Sequence, residues 1–233
     1  MRPGDWIKLS PEVSDEAAVS LPFSTTSLQC VRRAQVGLGD NVVVLGQGPM
    51  GLLVTQWVAL SGAGQVIVAD RYARRLEAGL RMGATAAVDA SESDVASAVR
   101  DLTGGTGADI VIDAGNTPRT FALALEVARE KGRVVVLSFH TKPITIEDIT
   151  RDFYHKELDI LATRATGPGN SYRSPYVRWT SGENMRLVER FMVQGRLHPE
   201  RLITGRLPLA QIEAGLKQIE TEPEQVVKLL VEW

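Results

Sequence analysis

Three glycines that follow four apolar residues are the positions with the clearest chemical meaning in this sequence. Gly46, Gly48 and Gly51 have the spacing Gly-x-Gly-x-x-Gly, with Pro49 and Met50 between the last two. In this pattern the first glycine permits a tight turn, the second lets the backbone approach a phosphate, and the third lets a helix pack against its strand. The unpaired N–H groups at the start of that helix would bind a pyrophosphate. The alternative is a glycine turn that serves packing alone.

A carboxylate at the end of the next apolar run supports the phosphate interpretation. Asp70 ends the run 65–69 and lies 19 residues after Gly51. A carboxylate there can accept hydrogen bonds from the ribose hydroxyls of an adenosine, and it would repel a 2′-phosphate. Arg71 and Arg75 follow it and could offset that repulsion. The pattern predicts a dinucleotide site that favours NAD, with NADP as the alternative.

Two further groups of residues come directly after predicted strands. Gly115 and Asn116 follow the fourth strand, and Ser138, Phe139 and His140 follow the fifth. In an open parallel sheet, ligands bind at the carboxyl ends of the strands. Because histidine titrates near neutrality, His140 is a candidate proton donor. The alternative is a loop histidine with no role in a reaction.

The elements that would position these residues alternate between strands and helices. Continuous apolar runs predict strands at 42–45, 65–70, 86–88, 109–113, 133–138 and 158–163. Apolar residues at helical spacing separate them, and Pro118 opens one helix that should extend through Arg129. This alternation indicates an α/β fold with a doubly wound parallel (Rossmann) sheet of about six strands and helices on both faces. The expected strand order is 3-2-1-4-5-6.

The flanking segments have weaker patterns. Ser14 and Ser181 are predicted to begin helices, and the apolar run 226–231 is a candidate terminal strand. We expect one nucleotide-binding domain over 1–233. It would carry a short lead-in (1–38) and a C-terminal helix and strand extension (181–233).

Composition excludes several functional classes. The 233 residues are 44% hydrophobic, enough for a large α/β domain, and the net charge of −2 gives no reason to expect a nucleic acid or a membrane surface as partner. No apolar run approaches the ~18 residues of a membrane span, and the N-terminus lacks a signal-peptide core. The single cysteine, Cys30, excludes an internal disulfide and a cysteine-based zinc cluster, and it suits a cytoplasmic location.

Together these motifs resemble the medium-chain dehydrogenase/reductase superfamily, the group of zinc alcohol, sorbitol and threonine dehydrogenases. The segments that carry the resemblance are 39–40, 46–52, 70–76, 82–84, 103–109, 113–115, 156–158 and 202–209. It spans about residues 8–233. It implies transfer of a hydride between a nicotinamide cofactor and the carbonyl or alcohol carbon of a small molecule.

The resemblance also assigns expected roles to individual residues. The backbone around 137–140 would bond the nicotinamide carboxamide, Thr25 matches a threonine near the nicotinamide ring, and Lys228 matches a basic position that reaches the pyrophosphate. The long loop 164–180 resembles a subgroup associated with sugar or polyketide-type biosynthesis, and its residue Tyr176 could contact an anionic substrate. The candidate catalytic residues are therefore His140, Thr25 and Tyr176.

One departure from the superfamily pattern affects the expected chemistry. Members usually carry a GroES-like catalytic domain ahead of this point, with most of the zinc ligands. The last zinc ligand, a Cys or Glu, lies shortly before a Ser/Thr pair, and Leu21 occupies that position ahead of Ser24 and Thr25. We therefore expect a zinc-independent oxidoreductase that forms a homodimer through the sixth, edge strand.

Three alternatives remain open. The chain could be a fragment of a longer protein, which the leading Met1 disfavours. It could be a nucleotide-binding module without turnover, or a subunit completed by a partner. It could also be a non-redox enzyme, a cyclase, isomerase or lyase, that reuses the same pocket.

Overall fold

The computed structural model describes residues 7–164 and 178–233, and the chain divides into two compact units. One unit is Gln29–Arg164; the other combines Met1–Leu28 with Ala165–Trp233. The single domain expected over 1–233, with its lead-in 1–38 and its extension 181–233, stays a prediction.

The unit 29–164 contains the large sheet. Its strands are β1 (Asn41–Leu45), β2 (Gln65–Asp70), β3 (Ala86–Asp89), β4 (Ala108–Asp113), β5 (Ala128–Val136) and β6 (Asp159–Ala162). The helices between them are α3 (Pro49–Leu60), α4 (Ala73–Arg81), α5 (Val95–Leu102) and α6 (Pro118–Val127), and a π-helical turn covers Thr150–Tyr154. Within these residues the six strands are parallel and ordered β3-β2-β1-β4-β5-β6. The predicted doubly wound α/β fold and its strand order are confirmed.

Apolar side chains on one face of the sheet form a hydrophobic core cluster. Val43 of β1, Ile67 of β2 and Val111 of β4 are fully buried in one cluster with Val99 of α5 and Leu125 of α6. Both faces of these central strands are shielded from solvent, which is why the strands appear in the sequence as continuous apolar runs rather than alternating ones.

The fifth strand and the helix before it differ from prediction. Helix α6 ends at Val127, not Arg129, and β5 begins at Ala128 rather than Arg133. The backbone of Lys131 has a positive φ of 54°, and the pairing with β4 shifts register between Ala108 and Ile110. The polar residues 129–131 therefore belong to an irregular strand that an apolar run could not indicate.

The unit 1–28 with 165–233 has its own small sheet. It contains α1 (Asp15–Ala18), the helix α7 (Ser181–Val193), β7 (Ile203–Pro208), α8 (Ile212–Thr221) and β8 (Lys228–Glu232), with 3₁₀ turns at Pro199–Leu202 and Leu209–Gln211. Helix α2 (Leu21–Ala34) crosses the division between the units. Strands β7 and β8 pair in parallel with each other. This pairing links the two C-terminal strands within their unit.

Helix starts in this unit follow capping chemistry. Ser14 caps α1 as predicted, accepting a hydrogen bond from the Ala17 amide. Helix α7 is capped by Thr180 rather than Ser181, because Thr180 and Glu183 form a reciprocal capping box. In the residues that the structure describes, none of the helices has the length and apolar character needed to cross a bilayer.

Candidate functional site

A cleft of about 740 Å³ opens at the carboxyl ends of the central strands, within the unit 29–164. Gly46 and Gly48 line it after β1, Asp70 after β2, and Gly115 after β4. This is the edge where an open parallel sheet binds ligands. Its volume lies in the range of small-molecule and cofactor sites.

The glycine turn has the local geometry that its spacing predicts. Gly46 has φ +88°, and a Cβ added there would lie 2.7 Å from the Gly115 Cα. A Cβ on Gly51 would overlap the Gly46 carbonyl oxygen, so α3 packs directly on the turn. A Cβ on Gly48 would have no neighbour within 4 Å, because this residue faces open space.

The start of helix α3 is available to an anion. Its N-cap is Gly48, Pro49 follows at the first helical position, and no side chain caps the first amides. These N–H groups and the positive end of the helix dipole favour a phosphate at this place. The helices α5 and α6 differ, because the side chains of Asp94 and Thr117 each accept a hydrogen bond from one amide in the first turn of their helix.

Asp70 lies beside this turn and is held by it. The residue is 9% exposed; its Oδ2 accepts a hydrogen bond from the Gln47 amide at 2.7 Å, and its Oδ1 accepts one from the Tyr72 amide at 3.1 Å. An ionised carboxylate has about four lone-pair sites, so both oxygens can accept further hydroxyl donors. The guanidinium carbons of Arg71 and Arg75 each lie 4.9 Å from the centroid of the Tyr72 ring. A carboxylate and two cations therefore meet at the place predicted for a ribose.

The ends of β4 and β5 form a buried polar cluster behind the cleft. His140 Nε2 lies 2.7 Å from Asp113 Oδ2, with side-chain exposures of 9% and 0%. The Phe121 ring packs against the imidazole with 5.9 Å between centroids. Within residues 29–164, His140 is not among the residues that line the cleft. This geometry disfavours the expected role of His140 as a proton donor to substrate.

Asp113 is a residue whose role the sequence interpretation missed. It ends an apolar strand as Asp70 does, and that shared pattern could have identified it. Near it, Ser138 Oγ accepts a hydrogen bond from the Asn116 amide at 2.9 Å, whereas the side chain of Phe139 is 86% exposed.

The cleft continues beyond Asp70 along a wall that the sequence did not indicate. It is lined there by residues 93–95, by Glu126 of α6, and by Arg151 with Asp152. Arg151 donates two hydrogen bonds to the Asp152 carboxylate, at 2.7 and 2.8 Å, and these hold the pKa of Asp152 below its ordinary value. The segment after β5 has no strand or helix periodicity, so no pattern placed it at the site.

Two predicted site residues, Thr25 and Lys228, lie outside the unit that contains the cleft. The Thr25 hydroxyl donates to the Leu21 carbonyl oxygen at 2.8 Å. Lys228 Nζ donates to Ser20 Oγ at 2.6 Å, and burial lowers the pKa of this lysine. Thr25 and Lys228 belong to the unit 1–28 with 165–233. Tyr176 lies outside the described residues.

The described residues do not fit a zinc site. Across 7–164 and 178–233, no group of three or more His, Cys, Asp or Glu side chains is arranged to hold a metal ion. Leu21 begins helix α2, and Cys30 on the same helix is buried, which raises the pKa of its thiol and disfavours the thiolate. No chemical step is therefore assigned to zinc on these residues.

Comparison with known proteins gives a consistent set of matches. Residues 49–181 match a family model described as zinc-binding dehydrogenase. An L-threonine 3-dehydrogenase of Bacillus licheniformis is 33% identical over 179 residues, 77% of this chain and 48% of the relative. An erythritol/L-threitol dehydrogenase of Mycolicibacterium smegmatis is 29% identical over 226 residues, 96% of this chain and 58% of the relative.

A solved structure shows the same fold. The crystal structure of a short chain alcohol dehydrogenase from E. coli CFT073, complexed with NADH, superposes with a TM-score of 0.82 at 24% identity and covers 97% of this chain and 62% of that one. The chain thus spans about half the length of the curated relatives it matches.

Proposed function

The chain belongs to the zinc-binding dehydrogenase family, and on this premise we propose that it is an oxidoreductase that transfers a hydride between a nicotinamide cofactor and a carbonyl or alcohol carbon of a small molecule. A sugar or a biosynthetic intermediate is the proposed substrate class. The observation that carries the proposal is the cleft itself, where uncapped amides at the start of α3 and the Asp70 carboxylate open on the same space.

Residues that follow different strands would contact different parts of the cofactor; of those named here, Gly48, Asp70 and Gly115 line the cleft. The amides that follow Gly48 bind the pyrophosphate, and Asp70 accepts hydrogen bonds from the adenosine ribose. The turns after β4 and β5, at Gly115–Asn116 and Ser138–Phe139, contact the nicotinamide half. When bound, the cofactor supplies or receives the hydride. Thr25 and Tyr176 stay candidates for contact with the reacting group, whereas the proton-donor role of His140 stays a prediction that its burial against Asp113 disfavours.

The charge balance at the ribose end favours NAD. The buried Asp70 carboxylate would face the 2′-phosphate of NADP at close range, and Arg71 and Arg75 would compensate it only in part, because both guanidinium groups pack on Tyr72. We therefore propose NAD as the preferred cofactor, with weaker use of NADP.

Calorimetric titration with NADH, NADPH and ADP-ribose tests the cofactor assignment. Wild type should bind NADH more tightly than NADPH. Asp70→Asn should weaken NADH at least tenfold and bring the two affinities together, since the charge that discriminates between them is gone. Asp89→Asn, at the end of the neighbouring strand β3 and outside the cleft lining, is the matched control. A wild-type protein that binds none of the three ligands, by calorimetry and by thermal shift, would end the proposal.

We propose that this chain contributes no zinc site and that the enzyme works as a zinc-independent homodimer. Leu21 at the family's ligand position supports the first part. The position of β6 supports the homodimer. In the described sheet β6 pairs with β5 alone and so leaves one edge unpaired, and Ile160 of β6 is 38% exposed. Elemental analysis of purified protein that finds one zinc per chain would refute the zinc-free assignment.

The cytoplasmic location stays a prediction.

A second candidate function is a cofactor-binding module completed by a partner. The observation that favours it is that Asp70 and the uncapped start of α3 line the cleft, whereas the candidate proton donor His140 does not. Such a module would bind NADH without turnover. Absorbance at 340 nm with a panel of aldehydes, ketones and sugars separates the two functions, since only the oxidoreductase consumes NADH.

A further inference from the structure

We propose that Asp113 and His140 form a positioning pair that sets the cofactor-binding turns after β4 and β5, so that it controls the affinity for the nicotinamide half of the dinucleotide. The inference rests on the proposed function and names two residues that act behind its cleft. Neither side chain needs to touch the cofactor.

The pair is enclosed and its hydrogen bond is directional. Asp113 is fully buried, and its Oδ2 lies 2.7 Å from His140 Nε2. A carboxylate accepts, so the proton of the imidazole is assigned to Nε2. His140 Nδ1 is buried and has no hydrogen-bond partner. Because Nδ1 is buried and His140 does not line the cleft, the geometry favours positioning over proton transfer.

Asp113 connects two turns through its remaining acceptors. Its Oδ1 accepts from the Gly115 amide at 3.1 Å, and its carbonyl oxygen accepts from the amides of Leu137 and Ser138 at 3.0 and 3.2 Å. Ser138 Oγ in turn accepts from the amide of Asn116, whose φ is +53°. A non-glycine residue in this conformation needs support from its surroundings. The Asp113 carboxylate and the Ser138 hydroxyl provide it.

His140 completes this arrangement from the far side. Its imidazole satisfies the second carboxylate oxygen of Asp113 and packs on Phe121 of α6. Removing the ring leaves a buried carboxylate short of a donor and takes away the side-chain hydrogen bond that joins residue 140 to β4, whereas the bonds of Leu137 and Ser138 to Asp113 remain. The adenosine half of the cofactor would bind at Gly48 and Asp70, which follow β1 and β2, so its affinity should not change when the ring is removed.

The test separates the two halves of the cofactor by calorimetric titration of the full chain. His140→Ala should weaken NADH at least tenfold, which corresponds to ~1.4 kcal/mol, and should change ADP-ribose affinity less than twofold. His140→Gln, whose side-chain amide can donate to Asp113 from a place near Nε2, should restore NADH affinity to within about threefold of wild type. His155→Ala, an exposed histidine of the same unit, should bind both ligands as wild type does.

The outcomes are distinguishable from failure of the proposed function. A wild-type protein that binds neither ligand removes the function itself. Equal losses for NADH and ADP-ribose in His140→Ala would indicate general destabilisation and overturn the positioning role, as would unchanged NADH affinity. If His140→Ala does not fold, His140→Asn decides by the same comparison, because its amide keeps polarity but falls short of Asp113.

Discussion

Adding a methyl group at Gly51 should destabilise the protein, whereas adding one at Gly48 should weaken cofactor binding and leave the stability nearly unchanged. Gly51 lies inside α3, where alanine is ordinarily better than glycine by ~1 kcal/mol. The methyl group would, however, overlap the Gly46 carbonyl oxygen and lie 2.9 Å from the Gly46 carbonyl carbon, inside the ~3.5–4.0 Å of ordinary contact. Either the helix or the glycine turn would have to move, because the atoms that the methyl group meets belong to the backbone and cannot rotate away as a side chain could.

The magnitude follows from comparing these two effects. Overpacking a close-packed site costs about 1–3 kcal/mol, and backbone neighbours place Gly51→Ala at the upper end of that range. After the gain in helix propensity, the net loss of unfolding free energy should be about 2 kcal/mol, or roughly 4–8 °C in Tm for a chain of this size. Gly48→Ala meets no atom within 4 Å and has φ −71°, so it should lose at most ~1 kcal/mol from its N-cap position.

Binding should set Gly48→Ala apart, because it should lose affinity without losing stability, whereas Gly51→Ala moves the same turn and should lose both. A methyl group on Gly48 stands between the first amides of α3 and a pyrophosphate, so NADH affinity should fall at least tenfold in a protein that is nearly as stable as wild type. Urea unfolding followed by circular dichroism gives the stabilities, and calorimetry gives the affinities. Gly51→Ala as stable as wild type would refute the contact between α3 and the turn. Gly48→Ala with wild-type affinity would refute a phosphate at the helix start.

Three further perturbations test other parts of the structure. Lys156→Met should lower the unfolding free energy by about 2 kcal/mol, since its ammonium donates to three carbonyl groups at the end of α6, at 2.7–3.0 Å. Arg151 lowers the pKa of Asp152, so the ionised Asp152 carboxylate should stabilise the fold above about pH 4. This stabilisation should be lost as the pH falls through the lowered pKa. Asp152→Asn should therefore reduce the change of the urea midpoint with acid pH. Ile160→Lys should halve the mass in sedimentation if β6 forms the dimer interface.

The first two of these perturbations have a control variant in the same unit. Lys142→Met removes an exposed lysine, and a loss as large as that of Lys156→Met would contradict the capping role. Asp148→Asn should leave the acid dependence in place; if it flattens the curve as Asp152→Asn does, the assignment to Asp152 is wrong. An unchanged mass in Ile160→Lys, with an intact circular dichroism spectrum, would reject the β6 interface.

The large sheet was predictable because its central strands are buried on both faces. Such strands appear as unbroken apolar runs, and the intervening helices have regular apolar spacing, so the order of the strands followed from the alternation. Strand β7 was not predicted, since residues 203–208 are mostly part-exposed or exposed and have no comparable run. The beginning of β5 escaped prediction for the same reason, as its residues 129–131 are polar.

The residues proposed to bind the cofactor could likewise be predicted from a short stretch of sequence. Gly46, Gly48, Gly51 and Asp70 lie on consecutive elements, and their spacing reflects the geometry of one strand–turn–helix–strand unit. Prediction was weaker for His140, whose type and place after β5 suggested a proton donor. Its burial against Asp113 depends on side-chain contacts that no periodicity reports.

Sequence alone thus determined the strand order and the residues that could cradle a phosphate, because backbone turns and burial periodicity act over a few neighbouring positions. Tertiary structure decided the contacts between residues that are far apart in the sequence. It joined Asp113 to His140 across 27 residues, closed the wall of the cleft with Arg151 and Asp152, and paired the C-terminal strands with each other. The physical reason is that such contacts are made by the register of the sheet and the packing of whole elements, and neither is encoded in any short segment.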